Sequence, residues 1–356
     1  IILRFHGCED MEFYCTVKIE SYIYRVKIIL SILPVLLFLV FLFLMDSFRL
    51  VHEKRVALAI AWGCVCALVS YVINTLLMET SGRSFDLYSS YLAPAIEETL
   101  KSGIIFYYIS KKKIGFMIDA AIYGFATGAG FALCENLFYV FSLEETSLLT
   151  WIIRGFGTAV MHGGCTALFA IIYLAAKSRD KMVTAMLFAG LGLAYVVHSL
   201  FNHFYFHPIV QTLVIIISLP VLFVVVFRYN ETLLRNWMEL ELSSEVEMLK
   251  MIRQGRFSGT KAGEYLASLK ERFSGEVVLD MYCYLQLYME LSLKAKRNIM
   301  LRESGLPLPS EEGIVGKLDE LKALRKTIGP VGELSLSPLI RMNYRDIWKL
   351  NQLSAH

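Results

Sequence analysis

Residues 28–45 form an apolar run of Leu, Ile, Val, Phe and Met, interrupted only by Ser31 and Pro34. A helix of about 20 such residues matches the hydrocarbon thickness of a bilayer. In lipid every backbone polar group must be satisfied internally, so only helices or a closed barrel can span. Further apolar stretches recur at 56–78, 87–109, 115–141, 148–175, 182–206 and 208–227. The pattern predicts an all-α fold, a polytopic membrane bundle of about seven spans followed by a helical cytoplasmic C-terminal domain. Composition agrees: 56% of residues are hydrophobic and 19% charged, against about 45–50% and about 25% in soluble domains. A disordered chain, a coiled coil and an ordinary cytosolic enzyme are thereby excluded. The net charge of +3 gives no argument for nucleic acid as a partner. The seven Cys are scattered, with neither a disulfide framework nor CxxC zinc spacing. Cys64, Cys66, Cys134 and Cys165 lie in apolar stretches, where a thiol packs as a small hydrophobe.

The first span is long, no small-residue cleavage site follows it, and Asp46, Arg49, Lys54 and Arg55 come next. It reads as a membrane span rather than a signal peptide. Because the chain opens on Ile1, residues 1–10 read as a cloning or start-site artefact ahead of Met11. Basic loops set orientation. Arg49, Lys54 and Arg55 follow span one, Lys111, Lys112 and Lys113 follow span three, and Lys177, Arg179 and Lys181 follow span five. The alternate loops carry only Arg83, then Glu144 and Glu145, then no charge. The basic set is assigned to the cytoplasm, with the C-terminus inside and the N-terminus outside, although Lys18, Arg25 and Lys27 argue the other way. The expected division is an N-terminal segment 1–26, a membrane domain 27–227 with its motifs in 87–206, and a soluble helical domain 228–356. The last carries 19 Lys/Arg and 17 Asp/Glu. Helical periodicity appears near 231–253, 259–273, 277–303 and 311–328, with Gly255, Gly275, Pro307, Pro309 and Pro330 as punctuation. It is expected to pack on itself or on a cytoplasmic partner.

Ionisable residues in spans three to six are the second constraint, because each costs about 2.5–3.5 kcal/mol at bilayer depth. Span three reads Pro94-Ala95-Ile96-Glu97-Glu98-Thr99-Leu100-Lys101. Pro94 suits a first helical turn, and Lys101 can reach either Glu at three or four residues. A helix-start ion pair at the membrane surface would explain these three without chemistry. In span four, small residues at 124, 126, 128, 130 and 132 read as helix packing. Glu135 has no basic residue within one turn, so its partner must come from another helix; a protonated Glu is the bland alternative. Span five carries Arg154 and His162, about 12 Å apart along the axis. Arg154 is expected to meet a carboxylate or a chain carbonyl. In span six His198 and Asn202 share a face, while His203 and His207 read as structural or interfacial.

In this topology Glu97, Glu98, Glu135, Arg154 and His198 fall in the outer half of the bilayer, and His162 lies near its middle. Such groups can form a water-activating cavity. A desolvated Glu can act as general base, His and Glu can ligate zinc with a position left for water, and amide or imidazole N–H groups can stabilise an oxyanion.

Four sequence elements carry a resemblance: Glu97-Glu98-x-x-Lys101, Phe131-Ala132-x-x-Glu135-Asn136, Arg154 with His162-Gly163, and His198-x-x-x-Asn202. In order and spacing they resemble the PrsW-type intramembrane proteases, within the wider group that includes the CAAX-prenyl endoproteases. The likeness covers about 87–206. It implies that Glu97 and Glu98 are the paired glutamates needed for cleavage and that Glu135, His162, His198 and Asn202 are further site positions. Lys101 and Glu135 stand where the prenyl-endoprotease branch usually has Arg and His, which favours the PrsW branch. Glu135, His162 and His198 make a zinc set, with Glu98 as base and Glu97 held by Lys101; the two glutamates could exchange roles. A metal-free site in which a Glu and a His activate water stays open. Lys101, Arg154 and Asn136 are expected to support substrate, oxyanion or structure.

The resulting expectation is an endopeptidase cutting a membrane-anchored protein in or near the outer membrane surface. The resemblance implies a bacterial cell membrane and an anti-sigma factor as substrate. A proton-coupled transporter using the same Glu/His cluster is the alternative, although spans one to three and four to six show no convincing repeat. A catalytically dead scaffold ranks last, since every motif residue is present.

Overall fold

Apolar runs broken by Gly, Pro and basic turns give an all-helical chain. The computed structural model describes residues 6–82, 84–143, 147–309, 313–340 and 344–353, with the backbone alone at 6–20 and 238–243 and at Ser81. Arg83 and the Glu144–Glu145 pair lie outside the described residues, as do residues 1–5 and the Lys18 side chain. The helices are α1 (His6–Leu44), α2 (Glu53–Ser81), α3 (Phe85–Leu87), α4 (Ala93–Ser110), α5 (Met117–Ser142), α6 (Leu148–Ile152), α7 (Val160–Arg179) and α8 (Val183–Asn202). They continue as α9 (Pro208–Arg253), α10 (Lys261–Ser268), α11 (Gly275–Glu303), α12 (Ile314–Ser335) and α13 (Tyr344–Leu353). Wide π-helical turns at Tyr88–Leu92 and Ile153–Ala159 join α3 to α4 and α6 to α7.

Six helical stretches are long and apolar enough to cross a membrane: Ser21–Leu44, Glu53–Thr80, Met117–Ser142, Leu148–Arg179, Val183–Asn202 and Pro208–Trp237. The seventh expected span, 87–109, is absent from that set because Glu97, Glu98 and Lys101 lower its apolarity. It is helical nonetheless, and all three charges are buried in protein rather than exposed to lipid. Its helix also begins earlier than Pro94 implies. Helical structure starts at Phe85 and runs through the π-turn, so Glu97 and Glu98 do not sit at a free helix end.

α5 and the 148–179 rod form the centre, with 83% and 78% of their apolar windows buried, whereas the 208–237 stretch has 17%. The small residues of α5 explain the closeness. A side chain on Gly128 would strike the His162 and Gly163 backbone, and one on Gly130 the Ile60 carbonyl. α5 is thus held between α2 and α7 by backbone contact, and the side chains flanking those glycines are brought together.

The basic turns gather at one end with the tail. Arg55 donates to the Lys113 carbonyl at 3.0 Å, and Asn230 Oδ1 accepts from Met117 N at 2.8 Å. Tyr344 OH donates to the Ile114 carbonyl at 2.7 Å. The tail packs on itself through Leu249, Met281, Leu285, Leu321 and Leu336. It also packs on the bundle through Trp348, which joins Phe48, Phe116 and Trp237. α12 extends past the expected end at 328 and bends at Gly329 (φ 67°), next to Pro330. α13 lies beyond any periodic segment expected from the sequence.

Candidate active site

Five helical elements contribute to one polar cluster. α4 supplies Glu97, Glu98 and Lys101; α5 supplies Glu135; the π-turn and α7 supply Arg154 and His162; α8 supplies His198. Lys101 is fully buried and forms an ion pair with Glu98. Its ammonium also lies 3.0 Å from His162 Nδ1 and 4.6 Å from the Phe131 ring centre. The expected Glu97–Lys101 pairing is therefore corrected: Lys101 takes the glutamate three residues back, not four. Adjacent helical residues diverge by about 100°, so Glu97 faces another way.

His198 Nδ1 lies 2.8 Å from Glu98 Oε1, an arrangement that orients the ring. Its Nε2 faces Glu97 Oε2 at 3.8 Å. The His162 ring packs edge-on to His198 with centroids 4.6 Å apart, and its Nε2 lies 3.3 Å from Glu135 Oε2. Arg154 reaches the same Glu135 oxygen at 3.3 Å, stacks 3.8 Å over Tyr139, and donates to Asn136 Oδ1 at 3.0 Å. Asn136 in turn donates to the Ser31 carbonyl at 2.8 Å. Arg154 thus supplies the partner that Glu135 needed from another helix, and Asn136 is structural support between α1 and α5.

Glu97, His162 and His198 each offer a ligand atom within 4.8 Å of the others, a spacing suited to one ion. Two buried oxygens, Glu97 Oε2 and Glu135 Oε2, have no hydrogen-bond partner. Two imidazoles and a carboxylate with orphaned oxygen are a donor set that suits zinc. The expected set of Glu135, His162 and His198 is thus altered in one member: Glu97 completes the spacing, and Glu135 borders it while bound to Arg154. Glu98, expected as a base, has its Oε1 committed to both Lys101 and His198. Asn202 is also displaced from the expected role. Its Nδ2 donates to the Ser89 carbonyl at 3.1 Å, and Ser199 donates to Ser90 at 2.6 Å, so this face of α8 fastens the turn leading into α4. His203 packs against Tyr91 and Tyr205, and His207 caps α9.

A family model described as the PrsW family intramembrane metalloprotease matches residues 52–229. The chain belongs to the PrsW family. The match begins at the start of α2 and ends within α9, so it contains every residue of the polar cluster and stops short of α10–α13. It makes this chain a membrane-embedded protease and does not favour the transporter reading. No curated protein and no solved structure matches.

Sequence reasoning passed over two contacts. Asn74 of α2 donates to Glu97 Oε1 at 3.5 Å and accepts from Tyr88 OH at 3.1 Å. The available signal was a single amide in an otherwise apolar stretch. The Phe of the second motif also gains a role, as the ring lying against both Lys101 and His162.

Proposed function

We propose that the protein is an endopeptidase that cuts a membrane-anchored protein in the outer half of the bilayer or just outside it. The observation that carries this is the meeting of Glu97, His162 and His198 within one ion's reach, beside the Glu135 carboxylate that Arg154 and His162 face. Glu97, His162 and His198 would hold zinc. When bound, such an ion supplies Lewis acidity toward a peptide carbonyl and toward water. Glu98 orients His198 through Nδ1, as an outer carboxylate does for a ligating His. Glu135 is the base: it is the most exposed of the three glutamates, with a side-chain accessibility of 24% against 12% for Glu97 and 2% for Glu98. It accepts the proton of the attacking water, and Arg154 holds it in place.

The metal-free reading has an observation of its own. An ammonium donating to His162 Nδ1 leaves the ring proton on Nε2, aimed at Glu135. In that tautomer His162 donates toward Glu135 and orients it as the base for water without an ion.

Metal analysis and cleavage of a membrane-anchored reporter separate these. Zinc should co-purify with the wild type and be lost from Glu97→Gln and His198→Ala. Glu135→Gln should keep zinc and lose about 10²–10⁴-fold in rate. Full zinc content in Glu97→Gln defeats the ligand set, and undiminished cleavage by Glu135→Gln defeats the base.

The same proposal places the basic turns and the tail in the cytoplasm of a bacterial cell and the cluster toward the exterior. The membrane protease portion is 27–227, with 228–356 as a cytoplasmic helical domain open to a partner and 1–26 as an N-terminal segment. An anti-sigma factor fits a single-span substrate cut on that side. Kinship with the CAAX-prenyl endoproteases rests on the order of the four motifs.

A further inference from the structure

We infer that Asn74 is a positioning residue for the active site, oriented by Tyr88, and that it selects which oxygen of Glu97 faces the two histidines. The inference rests on the reading of Glu97 as a ligand. Asn74 projects from α2 near its outer end, whereas the four motifs lie on α4, α5, α7 and α8. Its Nδ2 lies 3.5 Å from Glu97 Oε1, and its Oδ1 lies 3.1 Å from the hydroxyl of Tyr88.

The direction of the amide follows from its neighbours. Glu97 read as a ligand is an ionised carboxylate, which only accepts, so Asn74 turns its NH2 toward it. Its carbonyl then faces Tyr88, whose hydroxyl donates. Reversing the amide would set a carbonyl oxygen against a carboxylate oxygen. Tyr88 is buried, so this hydroxyl is not free to choose water instead. The chain Tyr88–Asn74–Glu97 therefore occupies Oε1 and leaves Oε2 turned toward His198, 3.8 Å from its Nε2 and without a hydrogen bond.

The relay has a fixed outer anchor. Tyr88 opens the π-turn 88–92, whose Ser89 and Ser90 carbonyls are bound by Asn202 and Ser199 of α8. Trp62, also on α2, donates to the Leu100 carbonyl at 3.1 Å. α2 thus grips α4 at Leu100 and at Glu97, and Asn74 is the grip that touches the carboxylate itself. A carboxylate held in one rotamer binds an ion without first being ordered.

The test uses the full-length chain in detergent, stripped of metal and titrated with Co2+, whose visible spectrum reports ligand geometry, and with Zn2+ in competition with a chromophoric chelator. Asn74→Leu removes the donor at similar volume, and Asn74→Asp replaces it by a like charge. Asn74→Leu should weaken Zn2+ by about 10–100-fold and alter the Co2+ bands, with the melting temperature of the metal-free protein unchanged, and Asn74→Asp should alter the Co2+ bands. Tyr88→Phe, which keeps the ring, should shift affinity in the same direction by a smaller factor and keeps the test open if an Asn74 variant fails to fold. Wild-type affinity and spectra in the Asn74 and Tyr88 variants, with binding lost in Glu97→Gln, overturn the positioning role alone. Wild-type affinity in Glu97→Gln, or no Co2+ binding by the wild type, overturns the ligand reading and this inference with it.

Discussion

At the scale of single residues, Lys101 links the charges of the site. It is completely buried, paired with Glu98 and in contact with His162. Removing one partner of a buried ion pair leaves the other uncompensated and costs about 3–5 kcal/mol. Lys101→Met should therefore lower the melting temperature sharply, and Lys101→Met with Glu98→Gln should recover part of the loss, because neither member of that pair is then left charged without the other. A double mutant no more stable than the single one would show that the pair is not coupled. The sequence revealed that such residues were too costly to be incidental. It did not reveal the pairing, because Lys101 lies within reach of both glutamates and the choice rests on how α4 is rotated against α7 and α8.

At the scale of helices, close approach decides which substitutions matter. A Cβ on Gly128 would meet the backbone of His162, whereas one on Gly192 meets nothing within 4 Å. Gly128→Ala should destabilise by about 1–3 kcal/mol, the usual cost of overpacking, despite the better helix propensity of Ala. Gly192→Ala should be neutral or stabilising by up to about 1 kcal/mol. Thermal unfolding in detergent compares them, and equal effects would dismiss backbone contact as the reason for Gly128. The turn after α1 offers a pH-dependent case. Asp46 Oδ2 accepts from Val51 N at 3.0 Å, but burial pushes its carboxyl above the ordinary value. A raised folded value means the buried ion costs stability above that pH and nothing once protonated. Asp46→Asn keeps an acceptor without the charge, so it should raise the melting temperature at neutral pH and lose that advantage in acid. Destabilisation at neutral pH would show that attraction to Arg302 outweighs burial.

At the scale of the whole molecule, the tail is joined to the bundle at the turn between α4 and α5, the helices that carry three of the cluster's carboxylates. Trp348 lies against Gly115, with its ring centre 5.2 Å from Phe116, and Tyr344 OH donates to the Ile114 carbonyl and lies 3.0 Å from that of Ile109, on either side of the turn. Emptying a buried Trp site costs about 3–5 kcal/mol. Trp348→Ala should release α13 and make the chain beyond Arg253 more sensitive to protease while the bundle stays folded. Unchanged protection would mean that the tail is held by other contacts. Neither Tyr344 nor Trp348 carried a signal in the sequence. α13 is short, follows a break, and is buried partly through Ile109, Ile114 and Phe116, more than 200 positions earlier.

The sequence by itself determined the helical membrane class, the order of the spans and the identity of the costly polar residues. Hydrophobic length and the cost of charge in lipid are properties of composition and spacing, which need no neighbours to be read. Tertiary structure decided which oxygen faces which nitrogen. That choice put Glu97 rather than Glu135 within one ion's reach of the two histidines, gave Glu98 to Lys101 and His198, and enlisted Asn74. Each depends on the rotation and separation of helices fixed by contacts such as Gly128 on His162, and no periodicity along one helix encodes its angle to the next.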